Sequence, residues 1–294
     1  MSETIGYLGP KGTFTKIAVD AMFNGEVKKG YKNIPESIDA VQNGEIDYAV
    51  VPLENTIEGT VNVTLDYLIQ ADRVKIVSEV IVPIRQHLMV HSNNKTQPLE
   101  ELDVIYSHPH AIAQCHAFLR KQLPAVKAQT MTSTAAAAEY VSNHPEEKVA
   151  AIANHLAAKE YNLDIVKKDI HDFDNNHTRF VVLHKDDTAL TSNKLEEKGY
   201  KTSITVSLPS DRPGALHQVL SAFAWRNLNL SKIESRPMKT GLGNYYFFID
   251  IEQKMDDVLI PNAIAEMESL GCSVSVLGSY PYYLHSGNGV TLAV

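Results

Sequence analysis

Thr178-Arg179-Phe180 sets a hydroxyl, a guanidinium and an aromatic ring side by side, after the polar run Asp172-Phe173-Asp174-Asn175-Asn176-His177 and directly ahead of the strand-like Val181-Val182-Leu183. The mouth of a strand is where α/β proteins hold ligands. The trio could donate a hydrogen bond, clamp a carboxylate and wall an apolar ring. Taken alone, it also fits an Asn-rich turn that feeds a strand.

Other chemistry-bearing groups are weaker signals. Gly6, Gly9 and Gly12 lie between a strand and a helix, but their spacing fits neither the dinucleotide nor the P-loop fingerprint. What they leave is a helix start whose N–H groups can hold a carboxylate. His108, His110 and His116 are interrupted by Pro109 and have no carboxylate at ligand spacing, so they read as solvated or capping residues. No metal or cofactor is expected. Cys115 reads as a small buried apolar residue, and Cys115 and Cys272 offer neither a disulfide framework nor a metal motif.

The elements that must position these groups alternate. Residues 5–8, 48–51, 74–82, 87–90, 104–106 and 149–152 read as strands, and 13–23, 35–43, 65–69, 111–123 and 154–161 as helices. This order predicts a largely parallel, doubly wound α/β sheet. Ala135 to Ala138 read as helix formers packed closely on that sheet. The period lapses over residues 186–200, a polar linker, and residues 201–280 follow with their own βαββαβ order, the ferredoxin-like split arrangement. Its hairpin turn falls at Gly241-Leu242-Gly243, and residues 281–294 form a tail without a clear element.

A length of 294 residues allows two or three domains. The formal net charge of -8 argues against nucleic-acid and anionic-membrane partners, which need a broad basic field. No targeting pattern opens the chain and no apolar run approaches the ~20 residues of a membrane span, so a cytoplasmic protein is expected.

Five ordered motifs resemble the prephenate dehydratase family. They are Gly9-Pro10-Lys11-Gly12-Thr13-Phe14-Thr15, Val51 through Gly59 with Glu54-Asn55-Thr56 at its centre, Ser107 through Cys115, Ser133-Thr134 with the four alanines, and Asn176 through Phe180. Thr56 stands where the family usually has Ser, and His110 where Gln is commoner. The carboxy-terminal unit resembles an ACT regulatory domain through Gly214-Ala215-Leu216-His217 and Glu234-Ser235-Arg236-Pro237. The first strand begins at once, so a form without a chorismate mutase domain is expected.

The resemblance implies two binding-protein-like α/β lobes over residues 1–185 with the site in the cleft between them. There prephenate would lose carbon dioxide and water to give phenylpyruvate, without a cofactor. It assigns Thr178 as the hydrogen-bond donor to the departing hydroxyl, and Asn55, Ser107 and Gln114 as substrate-orienting donors. Ser107 and Gln114 are seven apart, close to two helical turns, which would put them on one face. Thr13, Thr56, Ser133, Thr134, Arg179 and Phe180 complete the expected substrate contacts. Thr13 and Ser133 could instead be helix caps, Phe180 core, and Arg179 the partner of Asp172 or Asp174. The effector phenylalanine is expected at Ala215, Leu216, His217, Asn229, Leu230, Glu234 and Ser235, at a subunit interface of a homo-oligomer, dimer or tetramer. Arogenate as substrate, or a silent amino-acid sensor, are the rival readings.

Overall fold

The computed structural model describes residues 3–71, 73–209, 212–238 and 245–286, so the expected turn at 241–243 lies outside the described residues. The first lobe is built from β1 (Thr4–Leu8), α1 (Phe14–Met22), β2 (Val27–Tyr31), α2 (Ile34–Asn43), β3 (Tyr48–Asn55), β4 (Gly59–Thr60), α3 (Asn62–Gln70) and β5 (Lys75–Pro83). Local chemistry sets the helix ends. The Thr13 hydroxyl accepts the Lys16 N–H at the start of α1, and Asn33 caps α2, which stops at Gly44 in a left-handed conformation with φ 74°. Strand β2, Val-Lys-Lys-Gly-Tyr, escapes the sequence pattern because it is an edge strand with little to bury.

The chain crosses into a second lobe of β6 (His87–Val90), β7 (Val104–Ser107), α4 (Pro109–Ala113), α5 (His116–Gln122), β8 (Lys127–Thr130), α6 (Thr134–Asn143), β9 (Val149–Ala153), α7 (His155–Glu160) and β10 (Asp164–Lys167). It returns along β11 (His177–His184). The helix expected over 111–123 is two helices. Asp172 interrupts it: its N–H donates to the Gln114 carbonyl at 2.7 Å and its carboxylate accepts the Ala117 N–H at 3.0 Å. Each lobe has helices on both faces of its sheet, as the separate apolar clusters on either side record. Both sheets are mixed rather than largely parallel. β2-β1-β3 and β8-β7-β9 are parallel, while the crossing strand β11 runs antiparallel to β3 and β5, and β6 antiparallel to β9.

The last unit is β12 (Glu197–Ser207), α8 (Ala215–Ala224), β13 (Leu230–Pro237), β14 (Tyr245–Ile251), α9 (Leu259–Ser269) and β15 (Ser273–Leu284), a βαββαβ unit with its own core around Val219, Phe223, Ile249 and Met267. It is not a bead on a string. β12 starts inside the expected linker, and within that segment the Leu190 N–H donates to the Val77 carbonyl at 2.8 Å. The expected tail is strand as far as Leu284, because β15 pairs in parallel with β5, Tyr282–Leu284 against Glu79–Ile81. A ten-stranded sheet therefore runs from the carboxy-terminal unit through the first lobe, in the order β13-β14-β12-β15-β5-β11-β3-β1-β2 with β4 on β3. Tyr280 and Tyr283, 0% and 1% exposed, are buried in the first lobe's two apolar clusters.

Candidate active site

The cleft between the lobes holds a cavity of about 490 Å³. Seven of the ten residues expected there line it: Thr13, Asn55, Gln114, Ser133, Thr134, Thr178 and Phe180. Their positions follow from the fold. Asn55 ends β3 and Thr178 is its register partner on β11, so the two meet where both strands reach the cleft. Period-two alternation turns Thr178 and Phe180 to the same side. Helix starts bring in Thr13 on α1 and Ser133 on α6.

One hydrogen-bonded network joins the two lobes. Asn55 Nδ2 donates to Thr178 Oγ1 at 2.9 Å, to Asn176 Oδ1 at 2.8 Å and to the His177 carbonyl at 3.1 Å, two hydrogens shared among three acceptors. Asn176 Nδ2 donates to Gln114 Oε1 at 3.0 Å, and Gln114 Nε2 to Glu58 Oε1 at 3.3 Å. Thr178 thus accepts a bond on its oxygen, which polarises the hydroxyl toward donating its own hydrogen.

Three expected residues face elsewhere. Ser107 is 0% exposed and its hydroxyl donates to the Ile152 carbonyl at 2.6 Å, so it ties β7 to β9. The helical face meant to pair it with Gln114 does not exist, because Ser107 closes a strand and Gln114 sits at the break between α4 and α5. Thr56 accepts the His177 N–H at 2.9 Å and donates to the Asn175 carbonyl at 3.0 Å, pinning the loop that carries Asn176. Thr13 and Ser133 line the cleft and also cap their helices, Thr13 donating to the Leu8 carbonyl at 2.9 Å and Ser133 accepting the Ala136 N–H at 2.9 Å. Phe180, 2% exposed, is both core and cleft wall.

Arg179 is the larger correction. Alternation along β11 points it away from Thr178, and its partners are neither Asp172 nor Asp174. Nε and Nη2 reach Glu79 at 3.1 and 2.6 Å, Nη2 reaches Asp250 at 2.7 Å and Nη1 reaches Glu54 at 2.7 Å. Lys201 closes on Glu79 at 2.6 Å and Lys232 on Glu54 at 2.7 Å. Arg179, Lys201 and Lys232 meet Glu54, Glu79 and Asp250 where β3, β5 and β11 touch β12, β13 and β14, and Glu234 lies 3.8 Å from Lys232. Burial pulls the Glu79 carboxyl upward, but Arg179 and Lys201 overcome it and hold the group below the usual carboxylate range. Glu54 is held low in the same way, with Lys232 and Arg179 offsetting its burial.

Among the described lining residues the cleft has no lysine or arginine. It does hold groups that were not among the expected substrate contacts: Glu58 and Gln86, and the histidines His108 and His110, read from the sequence as solvated or capping. Glu58 lay inside a quoted motif, three residues after Asn55, and only its turn geometry shows that it comes back to the site. Gln86, 2% exposed with its Oε1 unpartnered, had no signal in the sequence, since the lobe crossing that buries it is tertiary. His108 caps α4 by accepting the His110 N–H at 3.4 Å, a capping role the sequence allowed. Cys115 is 0% exposed, and burial, with Asp172 adding to it, pushes its thiol up to about 12, as suits an inert core residue. In the carboxy-terminal unit, Leu216, His217, Asn229 and Ser235 are exposed, Leu230 and Glu234 half-buried and Ala215 buried. Among the described residues no helix is long and apolar enough to cross a membrane.

The chain is similar to known proteins along nearly its whole length. The prephenate dehydratase family model matches residues 5–188 and the ACT domain model residues 202–267. A prephenate dehydratase from Bacillus subtilis (strain 168) is 55% identical over 283 residues, 95% of this chain and 99% of that one. One from Lactococcus lactis subsp. cremoris (strain MG1363) is 42% identical over 280 residues, covering 95% and 98%. The crystal structure of a prephenate dehydratase from Arthrobacter aurescens in complex with L-Phe is 32% identical, with a TM-score of 0.82 over 99% of this chain and 93% of that one. A two-lobed cleft carrying a polarised threonine, a ferredoxin-like unit fused to its sheet, and these matches along nearly the whole length together place the chain in the prephenate dehydratase family, with a carboxy-terminal ACT domain.

Proposed function

We propose that Thr178, polarised by Asn55, carries the carbon–oxygen lyase reaction of this prephenate dehydratase by donating a hydrogen bond to the departing hydroxyl. The observation that carries the assignment is the 2.9 Å bond from Asn55 Nδ2 to Thr178 Oγ1 inside the cleft. The bond from the ring to its carboxylate breaks, and its electron pair enters the ring as the hydroxyl leaves from the opposite carbon. Carbon dioxide, water and phenylpyruvate result, and aromatisation supplies the drive. A free threonine hydroxyl is too weak an acid to act alone near neutral pH, so the polarising amide matters. The starts of α1 and α6, each with a partial positive charge, receive carboxylate. A cleft with no lysine or arginine among its described lining residues leaves the ring carboxylate weakly held, which favours its departure as neutral carbon dioxide.

The ACT unit receives L-phenylalanine at the start of α8 and along β13, through Ala215, Leu216, His217, Asn229, Leu230, Glu234 and Ser235. The first turn of α8, behind Gly214 at φ 84° and without a side-chain cap, offers N–H groups to the amino acid's carboxylate. The open face of these residues in the single chain supports a site completed by a second copy, hence a homo-oligomer. The L-Phe complex of the Arthrobacter aurescens relative supports the ligand. Lys232 on β13 bonds Glu54, the neighbour of Asn55, which supports coupling to the cleft of about 1–3 kcal/mol, roughly 5- to 150-fold in affinity.

The test is conversion of prephenate to phenylpyruvate by the full chain, with and without L-phenylalanine, and with arogenate as competitor. Formation that phenylalanine suppresses, with suppression weakened in Asn229→Ala, is expected. Tight phenylalanine binding without turnover would sink the enzymatic reading in favour of a sensor. Cutting the chain after Asp187 is not a usable control, because it would strip Tyr280 and Tyr283 from the first lobe's core.

A further inference from the structure

The departing hydroxide must become water, and a threonine that donates a hydrogen bond does not make up the proton. Among the described residues lining the cleft the titratable side chains are Glu58, His108 and His110. His108 is committed elsewhere. Its Nδ1 accepts the His110 N–H, and burial, helped by His110 beside it, holds its imidazole below the ordinary histidine range, so it is a neutral acceptor.

Glu58 is held from three sides. Its N–H donates to Asn55 Oδ1 at 3.0 Å, its Oε1 accepts from Gln114 Nε2 at 3.3 Å, and its Oε2 lies 3.4 Å from His110 Nδ1. Gly59, at φ 79°, reverses the chain immediately afterwards and keeps the carboxyl at the cleft. Asn55 thereby carries both Thr178 on its nitrogen and Glu58 on its oxygen. With prephenate as substrate, on which this proposal rests, two carboxylates enter a cleft with no lysine or arginine among its described lining residues. Negative charge close by disfavours a further ionised carboxylate and favours a protonated one. Histidine is the side chain whose unperturbed titration falls between about pH 5 and 8.

We propose that Glu58 is a further catalytic residue: Glu58 and His110 share one proton, and Glu58 delivers it to the departing hydroxyl while Thr178 orients that oxygen. The carbon–oxygen bond breaks with its electron pair on oxygen, the oxygen takes the shared proton, and the pair is reprotonated from solvent after product leaves. The electron pair released with carbon dioxide completes the ring, so no oxidant or reductant enters. The titratable group facing the pair in the cleft is His108 at the start of α4, and behind Thr60 on β4 Lys232 and Glu234 bond its hydroxyl. The residues of α1, α6 and β11 that line the cleft carry no charge.

The experiment is the pH dependence of kcat and KM for prephenate in the full chain and in Glu58→Gln and His110→Gln. Wild-type turnover is measured first, so that an error in the substrate assignment shows there and not in the variants. Glu58→Gln keeps the shape and the acceptor for Gln114, and is expected to lower kcat about 10²- to 10⁴-fold with KM within about threefold. His110→Gln, at a side chain 58% exposed, folds independently of the outcome and removes the proton reservoir. The alkaline fall of kcat/KM then moves to lower pH, because the shared proton loses one of its two holders. A merely structural Glu58–His110 contact would move neither profile. The proposal is overturned by Glu58→Gln with kcat within about tenfold of wild type, or by a His110→Gln profile that superimposes on the wild-type one.

Discussion

Glu79→Gln removes one charge from the buried cluster behind Thr178 while preserving its shape. Glu79 is 0% exposed and accepts from Arg179 and Lys201 at 2.6 Å each. Without its charge, Lys201 loses its carboxylate partner and Arg179 keeps Glu54 and Asp250, while Lys232 keeps Glu54 and, at 3.8 Å, Glu234. Breaking a buried pair from one side costs about 3–5 kcal/mol, because the cation left behind stays desolvated. For domains of 150–250 residues about 2–4 °C of melting temperature accompany each kcal/mol, so the midpoint should fall by roughly 6–20 °C. Urea denaturation of the full chain measures the loss. Adding Lys201→Met removes the cation left without a partner, and the double variant should recover part of the stability, a coupling that a double-mutant cycle isolates. The pH dependence carries a sign. Glu79 has its folded pKa depressed, so it contributes stability above the unfolded carboxylate range near ~4.3 that is lost as pH falls through the folded value. Glu79→Gln should flatten that acid limb. A loss under about 1 kcal/mol, the size of an exposed pair, would refute the buried-cluster argument.

Thr178→Val is expected to lower kcat by more than about 10²-fold while Thr178→Ser stays within about tenfold, measured as phenylpyruvate formation, because only the hydroxyl is needed. Arg179→Lys should weaken urea resistance without raising KM for prephenate, since Arg179 does not line the cleft; a large KM rise would restore the carboxylate-clamp idea. At Gly278 a Cβ would sit 2.0 Å from the Ile76 carbonyl oxygen, where β15 crosses β5. Gly278→Ala should therefore lower the melting temperature of the whole chain, and normal stability would show that this crossing relaxes freely.

Much of the fold was legible because its signals are local. Apolar runs marked β1, β5, β9 and β14, and Thr13 and Ser133 opened their helices by hydrogen bonds three residues long. The edge strands β2 and β8 were silent, since a strand that buries neither face needs no apolar pattern. The break between α4 and α5 was also silent, because its cause, Asp172, is 55 residues away in sequence from Ala117.

At the site, the sequence by itself determined which hydroxyls and amides exist, the strand mouth that presents Thr178, and the family whose motifs they form. Those are properties of residue types, short spacings and helix caps. Tertiary structure alone decided which of them meet. It gave Thr178 to Asn55 and Glu58 to His110 and Gln114, turned Arg179 to the far side of its strand, spent Ser107 and Thr56 on the scaffold, and fused β15 to β5. The physical reason is that strand alternation separates neighbours such as Thr178 and Arg179, while pairing register joins residues more than 120 positions apart.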